Sequence, residues 1–412
     1  MRSHSTVSRR ALFVVAAVAP ILACQPDADP ASLTAPVVAS RSAPATEELA
    51  SPGWQAIEAN LVAQANLAAV VSTRAYSLLG VAQYLAVQRA EGSKRDGRSR
   101  DGSDAGAVAG ASATVLSYLF PSQAQALEDT VKAQRGAGPG FARGEVIGRA
   151  VGAGIVARAR TDGFSTPFGG TIPVGAGLWI SNTTPATIGG GPLPGVRPWF
   201  LKSARQFRPG PPPAFGSGDF LAALAEIRHI SDTRTAEQIE IATFWAQGAG
   251  TPTTAGFWLQ VATDGINSHS FSERQATHLY ALLSASMFDA QIGCWDAKET
   301  YWFIRPWQAD PGITVVAAVG KPNHPSYPSG HSCISSSAAA VLGAFFPEQR
   351  RELSAMVTEA GLSRMYGGIH YRFDIEAGQR LGRSVARLTL RADRSGHSVL
   401  TPDNDEERHG GR

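Results

Sequence analysis

Residues 273–304, with the sequence ERQATHLYALLSASMFDAQIGCWDAKETYWFI, carry a long and unbroken helical pattern. Apolar residues recur through this segment at the three- and four-residue spacing of one helix face. Arg305-Pro306 follows, and a residue before proline is driven out of helical geometry. We therefore predict one long helix from Glu273 to Ile304.

Similar helical patterns lie on both sides of this segment. Strand-like alternation is scarce over the 412 residues, so we predict an all-α fold of helical bundles, in a single domain at 53–395. We expect the other helices near 54–88, 107–118, 121–135, 142–161, 219–230, 234–246, 331–345, 348–361 and 371–392. The Gly- and Pro-rich residues 163–218 predict a long surface segment, and loops of that length are usually functional or disordered.

The amino terminus has the pattern of an export signal. Arg9-Arg10 precede a short apolar stretch, which predicts a signal peptide at 1–23. The segment ends in Ile-Leu-Ala-Cys24, which resembles a bacterial lipobox with Cys24 as the lipidated residue, and the arginine pair resembles a twin-arginine signal. An ordinary secretory signal cleaved nearby is the alternative. Residues 24–52 then predict a flexible linker, and the protein is expected in the periplasm or cell envelope.

The net charge of +3 comes from this predicted leader. Without its three arginines, 34 basic residues balance 34 acidic residues, and this neutrality argues against nucleic-acid binding through a broad basic face. No later segment has 18 consecutive apolar residues, so we expect contact with a membrane only through the lipid anchor. The charged residues 396–412 predict a disordered tail.

Two cysteines remain beyond Cys24. Export would permit a disulfide between Cys294 and Cys333, but their positions in the sequence say nothing about their distance. A disulfide and a pair of buried free thiols are both consistent with the sequence.

Three short segments in the last third of the chain concentrate residues with chemical function. They are Lys298-x6-Arg305-Pro306, Pro328-Ser329-Gly330-His331 and Ser363-Arg364-x5-His370-x3-Asp374. Each has an ordinary explanation by itself: a solvated helix stripe, a turn that starts a helix, and a surface pair four residues apart.

Together the three segments describe one kind of site. Lys298, Arg305 and Arg364 provide three cations, and arginine forms bidentate contacts with tetrahedral oxyanions. The hydroxyl of Ser329 and the N–H of Gly330, at the start of a predicted helix, add neutral donors. These groups suit phosphate or its analogue vanadate.

The remaining residues of the three segments suit proton transfer and covalent chemistry. One histidine can bond to the central atom of the oxyanion, while the other moves a proton on the opposite side. Asp374 is placed to accept the ring N–H of His370, which makes the other ring nitrogen more basic. His331 and His370 are therefore candidate catalytic residues.

These motifs resemble the tripartite signature of the type 2 phosphatidic acid phosphatase (PAP2) and vanadium haloperoxidase superfamily. Residues 201–213 and 244–251 are also similar to segments of soluble bacterial vanadium-haloperoxidase-like proteins. The resemblance implies a helical-bundle fold of that type, with the site in 298–374.

The resemblance implies one of two reactions. In a haloperoxidase, vanadate is the cofactor, His370 is its protein ligand, and hydrogen peroxide oxidises a halide to hypohalous acid while His331 bonds the apical oxygen. Lys298, Arg305, Ser329, Gly330 and Arg364 would hold the other oxygens. In a secreted acid phosphatase without a cofactor, His370 attacks the phosphorus of a phosphate ester to form a phosphohistidine, and His331 protonates the leaving group.

Three further positions bear on the choice. His324 occupies a place where bromoperoxidases have His and fungal chloroperoxidases have Phe, which favours bromide or iodide; a loop residue without catalytic weight is the alternative. Trp295 either walls the same pocket or belongs to the core. Related segments read Phe-Trp-Ala-Asp-Gly, where the carboxylate supports the acid-base histidine, whereas this chain has Gln247.

The large helical region before the motifs favours the haloperoxidase over the phosphatase. The lack of predicted membrane-spanning helices argues against the integral lipid phosphatases. A third possibility is an envelope lipoprotein that only binds phosphate, and the intact signature argues against it.

Overall fold

The computed structural model describes residues 49–95, 103–135, 140–396 and 400. Over these residues the prediction of an all-α fold is confirmed, with thirteen α-helices and no strand beyond an isolated bridge between Leu178 and Phe303. The helices are α1 (Ala50–Gln64), α2 (Ala69–Arg95), α3 (Asp104–Leu119), α4 (Ala124–Gln134), α5 (Phe141–Arg160), α6 (Gly218–Thr233), α7 (Ala236–Phe244), α8 (Thr253–Ser268), α9 (Glu273–Tyr301), α10 (Pro306–Ala309), α11 (Gly330–Phe345), α12 (Arg350–Tyr366) and α13 (Arg372–Arg394).

The long predicted helix is α9, which forms the centre of the fold. A capping box between Ser272 and Gln275 starts it, and nearly all of its residues from Ala276 to Lys298 are buried. Helices α2, α8, α11 and α13 pack around it. A helix buried on every side needs no amphipathic stripe, and its apolar, Ala and Ser residues fill the contacts with these neighbours.

Helix α9 ends at Tyr301, three residues before the predicted end. Trp302 takes a left-handed conformation, with φ of 47°, and its N–H donates to the carbonyl of Lys298. Its own carbonyl accepts from the N–H of Trp179, and the two indole rings are stacked. The contact with the segment before α6 therefore ends the helix before Pro306 does.

Two other elements differ from the predicted pattern. The segment predicted as helical over 54–88 is divided into α1 and α2 by residues 65–68, and α8 was not predicted. Helix α8 contains Gly256 and Gly265, and glycine has low helix propensity. Burial of residues such as Trp258 stabilises it instead.

The close packing of α11 against α13 brings two of the predicted motifs together. A Cβ atom at Gly382 would lie 2.2 Å from the carbonyl oxygen of Cys333, and one at Gly378 would lie 2.6 Å from that of Ser329. Only glycine permits this approach. The start of α11 and the start of α13 therefore lie side by side.

The segment between α5 and α6 has no α-helix and packs against the end of α9. The carboxylate of the fully buried Asp289 accepts the backbone N–H groups of Trp199, Phe200 and Leu201 at 2.7–2.9 Å. The carbonyl of Gly189 accepts the indole N–H of Trp295. The long segment predicted at 163–218 is thus anchored beside the residues of the predicted site.

Several predictions concern residues outside the described ranges. The signal peptide at 1–23, the lipidated Cys24, most of the linker at 24–52 and most of the tail at 396–412 belong to this group; α1 begins within the last three residues of the predicted linker. Among the described helices, none is both long and apolar enough to cross a membrane.

Candidate oxyanion site

The three motifs converge at one end of the helical core. Lys298 lies in the last turn of α9, Arg305 immediately before α10, and Arg364 in the last turn of α12. Ser329, Gly330 and His331 form the start of α11, while His370 and Asp374 flank the start of α13. The structure therefore brings together all eight residues predicted to bind or transform the oxyanion.

Lys298 is fully buried and uses all three of its N–H donors within the protein. Its Nζ lies 2.7 Å from the carbonyl oxygen of Pro325, 2.9 Å from that of Ser326 and 2.6 Å from that of Pro328. We expected a direct contact with the oxyanion. The structure instead has Lys298 holding the segment that precedes α11, so that it contributes charge to the site rather than a free donor.

Arg305 links two of the histidines. Its Nη1 donates to the carbonyl of Ile369 at 2.7 Å and to Nε2 of His370 at 3.0 Å, and its Nη2 donates to Nδ1 of His324 at 3.0 Å. Its Nε donates to the carbonyl of His324. The guanidinium is completely buried, so these contacts fix its plane.

Arg364 keeps more of its donors available. Its Nε donates to Oγ of Ser363 at 2.9 Å and its Nη2 to the carbonyl of Ala242 at 3.1 Å. Within the part of the chain that the structure describes, its other three N–H donors have no recorded partner, although the residue is only 1% exposed. Buried guanidinium donors without acceptors fit an anionic ligand.

His370 and Asp374 form the hydrogen-bonded pair that the sequence suggested, but not as a surface pair on a helix. His370 precedes α13, and Asp374 lies in its first turn, where its carboxylate accepts the N–H of Tyr371. Oδ2 of Asp374 accepts from Nδ1 of His370 at 2.8 Å and from Oγ of Ser326 at 2.6 Å. Nδ1 therefore carries the proton. Nε2 has the lone pair that can bond to phosphorus or vanadium.

His331 presents its other ring nitrogen. Its Nε2 lies 2.9 Å from the carbonyl oxygen of Trp245, and since a carbonyl only accepts, Nε2 carries the proton. Nδ1 is then the basic atom. The amide of Gln247, the residue that departs from the related segments, donates to the carbonyl of Phe244 and does not contact His331.

The start of α11 supplies the neutral donors. The side chain of Ser329 caps the helix by accepting the N–H of Ser332 at 3.4 Å, and its own hydroxyl hydrogen remains available. The first N–H groups of a helix have no acceptor within it, and the helix dipole favours an anion there. Gly330 lies in this first turn, against the indole ring of Trp295.

Trp295 and His324 form one wall of the site. Their ring centroids are 4.9 Å apart, and Nζ of Lys298 lies 5.6 Å from the centroid of the Trp295 ring. The indole is buried and also packs beside Gly190. Trp295 therefore serves the pocket and the core at once, and the imidazole of His324 belongs to the site through its contact with Arg305.

Cys294 and Cys333 lie behind the site as buried free thiols. The two cysteines are therefore the pair of buried free thiols that the sequence allowed, and they do not form a disulfide. The thiol of Cys294 donates to the carbonyl of Pro328 at 3.6 Å, the same carbonyl that accepts from Lys298.

The charges of the buried site are unbalanced. Three cations face one carboxylate, and burial lowers the pKa of Lys298 to about 8, that of Arg305 to about 10 and that of Arg364 to about 9. Burial also raises the pKa of Asp374 to about 6, against the opposing effects of Ser326 and Lys298. A buried excess of positive charge is costly unless an anion compensates it. The donor set therefore fits a tetrahedral oxyanion with two negative charges, and vanadate and phosphate both meet this requirement.

The three histidines of the site are neutral in this environment. Burial lowers the pKa of His324, His331 and His370 well below the usual value, and the nearby cations act in the same direction. Neutral imidazoles leave Nε2 of His370 free to bond to the oxyanion and Nδ1 of His331 free to accept a proton.

We expect the affinity for sulfate to fall as the pH rises through about 8. Deprotonation of Lys298 removes one of the three cations, and Arg364 begins to lose its charge near the upper end of this range. The loss of one nearby cation corresponds to roughly tenfold in affinity. Sulfate keeps its two charges over this range, so the change reports on the protein. Calorimetric titrations between about pH 7 and about pH 9 measure the effect. Constant affinity would contradict the assignment of Lys298 as a site cation.

Sequence reasoning did not identify two contributors to the site. Ser326 donates to Asp374, and the backbone carbonyl of Trp245 accepts from His331. Ser326 lies between two prolines in a segment typical of a turn, and a backbone acceptor has no signature in the sequence.

Comparison with known proteins agrees with this geometry. Residues 277–395 match the family model of the PAP2 superfamily, and they contain every signature residue of the site. The match confirms the predicted resemblance to the PAP2 superfamily for this part of the chain.

Solved structures of bacterial enzymes share the whole fold. A bacterial vanadium-dependent iodoperoxidase superposes with a TM-score of 0.70 at 24% identity, covering 82% of this chain and 95% of that one. A bacterial vanadium-dependent chloroperoxidase in its holo form superposes with a TM-score of 0.63 at 13% identity, covering 79% and 92%. The fold is that of the bacterial vanadium haloperoxidases.

The curated relatives by sequence are phosphatases. A non-specific acid phosphatase of Providencia stuartii is 28% identical over 245 residues, which cover 56% of this chain and 94% of the phosphatase. One of Salmonella typhi is 42% identical over 64 residues, only 26% of its length. The comparisons therefore support the fold and the resemblance to PAP2 superfamily enzymes, and the reaction is the subject of the proposal below.

Proposed function

We propose that this protein is a vanadate-dependent haloperoxidase that oxidises bromide or iodide with hydrogen peroxide to hypohalous acid. The observation that carries the proposal is a third histidine in the oxyanion site. His324 accepts from the same guanidinium that donates to His370, and its ring packs against Trp295. Hydrolysis of a phosphate ester needs only His331 and His370, whereas a polar and aromatic wall beside the oxyanion suits a halide.

The residues of the site would hold vanadate in a defined way. Nε2 of His370 is the ligand atom, Arg305 and Arg364 donate to the oxygens, and Ser329 with the N–H of Gly330 complete the donors. When bound, vanadate supplies a Lewis-acid centre that activates hydrogen peroxide without a change in oxidation state. Nη1 of Arg305 donates to the lone pair of His370 Nε2, so Arg305 would have to release this nitrogen for His370 to hold vanadate.

The chain's own residues provide the proton transfers. The overall reaction converts hydrogen peroxide, a halide ion and a proton into hypohalous acid and water. Nδ1 of the neutral His331 would accept a proton from hydrogen peroxide, and the resulting imidazolium would return that proton to the oxygen that leaves as water. Asp374 keeps the proton of His370 on Nδ1 throughout, so that Nε2 remains a donor of electrons.

The extent of the fold also supports the haloperoxidase. The likeness to the iodoperoxidase extends over 82% of this chain, while the alignment with the Providencia phosphatase covers 56%. The helices before the motifs thus have counterparts in the haloperoxidase fold.

A secreted acid phosphatase is the second candidate, and the 28% identity with the Providencia phosphatase favours it. In this reaction Nε2 of His370 attacks phosphorus, the bond to the ester oxygen breaks, and protonated His331 delivers the proton to that oxygen. Water then hydrolyses the phosphohistidine.

One assay pair distinguishes the two reactions. The purified protein is tested with and without orthovanadate for halogenation of a phenolic dye, with hydrogen peroxide and bromide or iodide, and for hydrolysis of an aryl phosphate. We expect vanadate-dependent halogenation and little hydrolysis. Hydrolysis that vanadate inhibits, with no halogenation, would establish the phosphatase instead.

The variant His324→Ala tests the halide assignment. We expect a loss of about tenfold in halogenation, because the ring that completes the halide wall is removed. The exposed His229 provides the control His229→Ala, which is expected to retain full activity. Equal activity of the two variants would show that His324 is an ordinary loop residue.

We also propose that the protein is exported and anchored through Cys24. The charged leader and the Ile-Leu-Ala-Cys24 segment support this proposal. Mass spectrometry of the amino-terminal peptide from native membranes would show a diacylated or triacylated Cys24, or a cleavage site elsewhere.

A further inference from the structure

The carboxyl end of α7 contacts two residues of the site. The last carbonyls of a helix have no partner within it. Here the carbonyl of Ala242 accepts Nη2 of Arg364 at 3.1 Å, and that of Trp245 accepts Nε2 of His331 at 2.9 Å. One helix end therefore orients both a cation and the acid-base histidine.

Gln247 closes this helix end. Its backbone is left-handed, with φ of 40°, and its Nε2 donates to the carbonyl of Phe244 at 2.8 Å. The remaining unpaired carbonyl of the turn thereby gains a donor. An ionised carboxylate at this position could not make the contact, because it only accepts. An amide therefore suits this position, because it can donate to the last carbonyl of the helix.

Trp245 is fixed in turn by its side chain. The indole is 1% exposed and packs edge to face with Phe244 and Phe257, and its N–H donates to Oε1 of Glu359 at 3.1 Å. The carbonyl that accepts from His331 therefore belongs to a residue whose side chain is fixed by packing and by a hydrogen bond.

The charges around His331 are consistent with a weak anionic partner. Arg364 and Arg305 lower its pKa together with burial, while the carbonyls of Trp245 and Ala246 raise it. The end of a helix carries about half a negative charge. The end of α7 therefore stabilises a protonated His331, as a carboxylate would, but by a smaller amount.

We propose that Gln247 is a positioning residue, which closes α7 so that the carbonyl end of this helix holds His331 in the place of a carboxylate. The replacement of the related aspartate by Gln247 then changes which group supports His331, and the support itself is kept. The effect on turnover rests on the proposed function, but the effect on the His331 ring does not.

The test compares Gln247→Ala with Gln247→Asn in the oxyanion-free protein and in turnover. Alanine keeps the Cβ atom and removes the Cγ methylene and the amide, whereas asparagine keeps an amide and tolerates positive φ. The exposed Gln260, whose amide also bonds one turn away, provides the control Gln260→Ala. Nitrogen-15 NMR of the histidine rings reports the tautomer of His331 without any need for activity.

We expect Gln247→Ala to mix the two neutral tautomers of His331, to lower kcat about tenfold in halogenation or hydrolysis, and to leave KM unchanged. Gln247→Asn should recover most of both properties, and Gln260→Ala should match the wild type. A pure Nε2–H tautomer and full kcat in Gln247→Ala would overturn the proposal. If wild-type protein has neither activity, the proposed function fails, and the tautomer measurement still decides this one.

Discussion

Replacing His370 with alanine is expected to reduce halogenation, and any phosphate hydrolysis, by about 1,000-fold or more. Nε2 of His370 is the atom of the site placed to bond to the central atom of the oxyanion, and Asp374 keeps its lone pair available. Initial rates at saturating orthovanadate, or at saturating aryl phosphate, measure the loss.

The fold should survive this change. Removal of the His370 ring leaves Arg305 with its carbonyl partners at His324 and Ile369, and it leaves Asp374 with Ser326 and the N–H of Tyr371. Circular dichroism and the thermal midpoint serve as controls, with the exposed His229→Ala as the matched variant. Residual activity above about one tenth of the wild type would show that another group bonds to the oxyanion.

Replacing Lys298 with methionine is expected to affect stability and binding together. The change leaves the buried carbonyls of Pro325, Ser326 and Pro328 without their donor. An unsatisfied buried acceptor costs about 1–3 kcal/mol, and the desolvation cost of the lysine charge is relieved at the same time. We therefore expect a net loss of about 2–4 kcal/mol, measured by urea unfolding.

Binding of the oxyanion by Lys298→Met should weaken at least about tenfold, because one of three cations is lost and the start of α11 is released. The exposed Lys202 provides the matched control Lys202→Met, for which we expect wild-type stability and affinity. Normal stability of Lys298→Met would mean that water or another donor replaces the ammonium. Normal affinity would mean that the charge does not reach the ligand.

The sequence predicted the site more completely than it predicted how the site is held. Spacing and residue type selected Arg305, Arg364, His331 and His370 as candidates for a tetrahedral oxyanion. The structure brings these residues together. The role of Lys298 was different from the expectation, since its donors bind the backbone that leads into α11. Nothing in the local pattern tells a lysine that faces a ligand from one that faces a carbonyl.

The helices also differ in how far the sequence alone predicted them. The periodicity of 273–304 predicted α9, yet its end at Tyr301 depends on the contact between Trp302 and Trp179, which are far apart in the chain. Helix α8 was missed because its glycines and threonines have low helix propensity, and only burial against the core stabilises it.

The sequence by itself predicted the helical class and the superfamily signature, and it placed the candidate oxyanion residues in three short segments. These properties depend on residue type and on spacing along one chain. The tertiary structure alone decided which carbonyl accepts from His331 and which carbonyl accepts from the amide of Gln247. Both are backbone carbonyls at the end of α7. Every residue has such a carbonyl, so only the packing of α7 against α12 and the contact of Trp245 with His331 distinguish the ones that act.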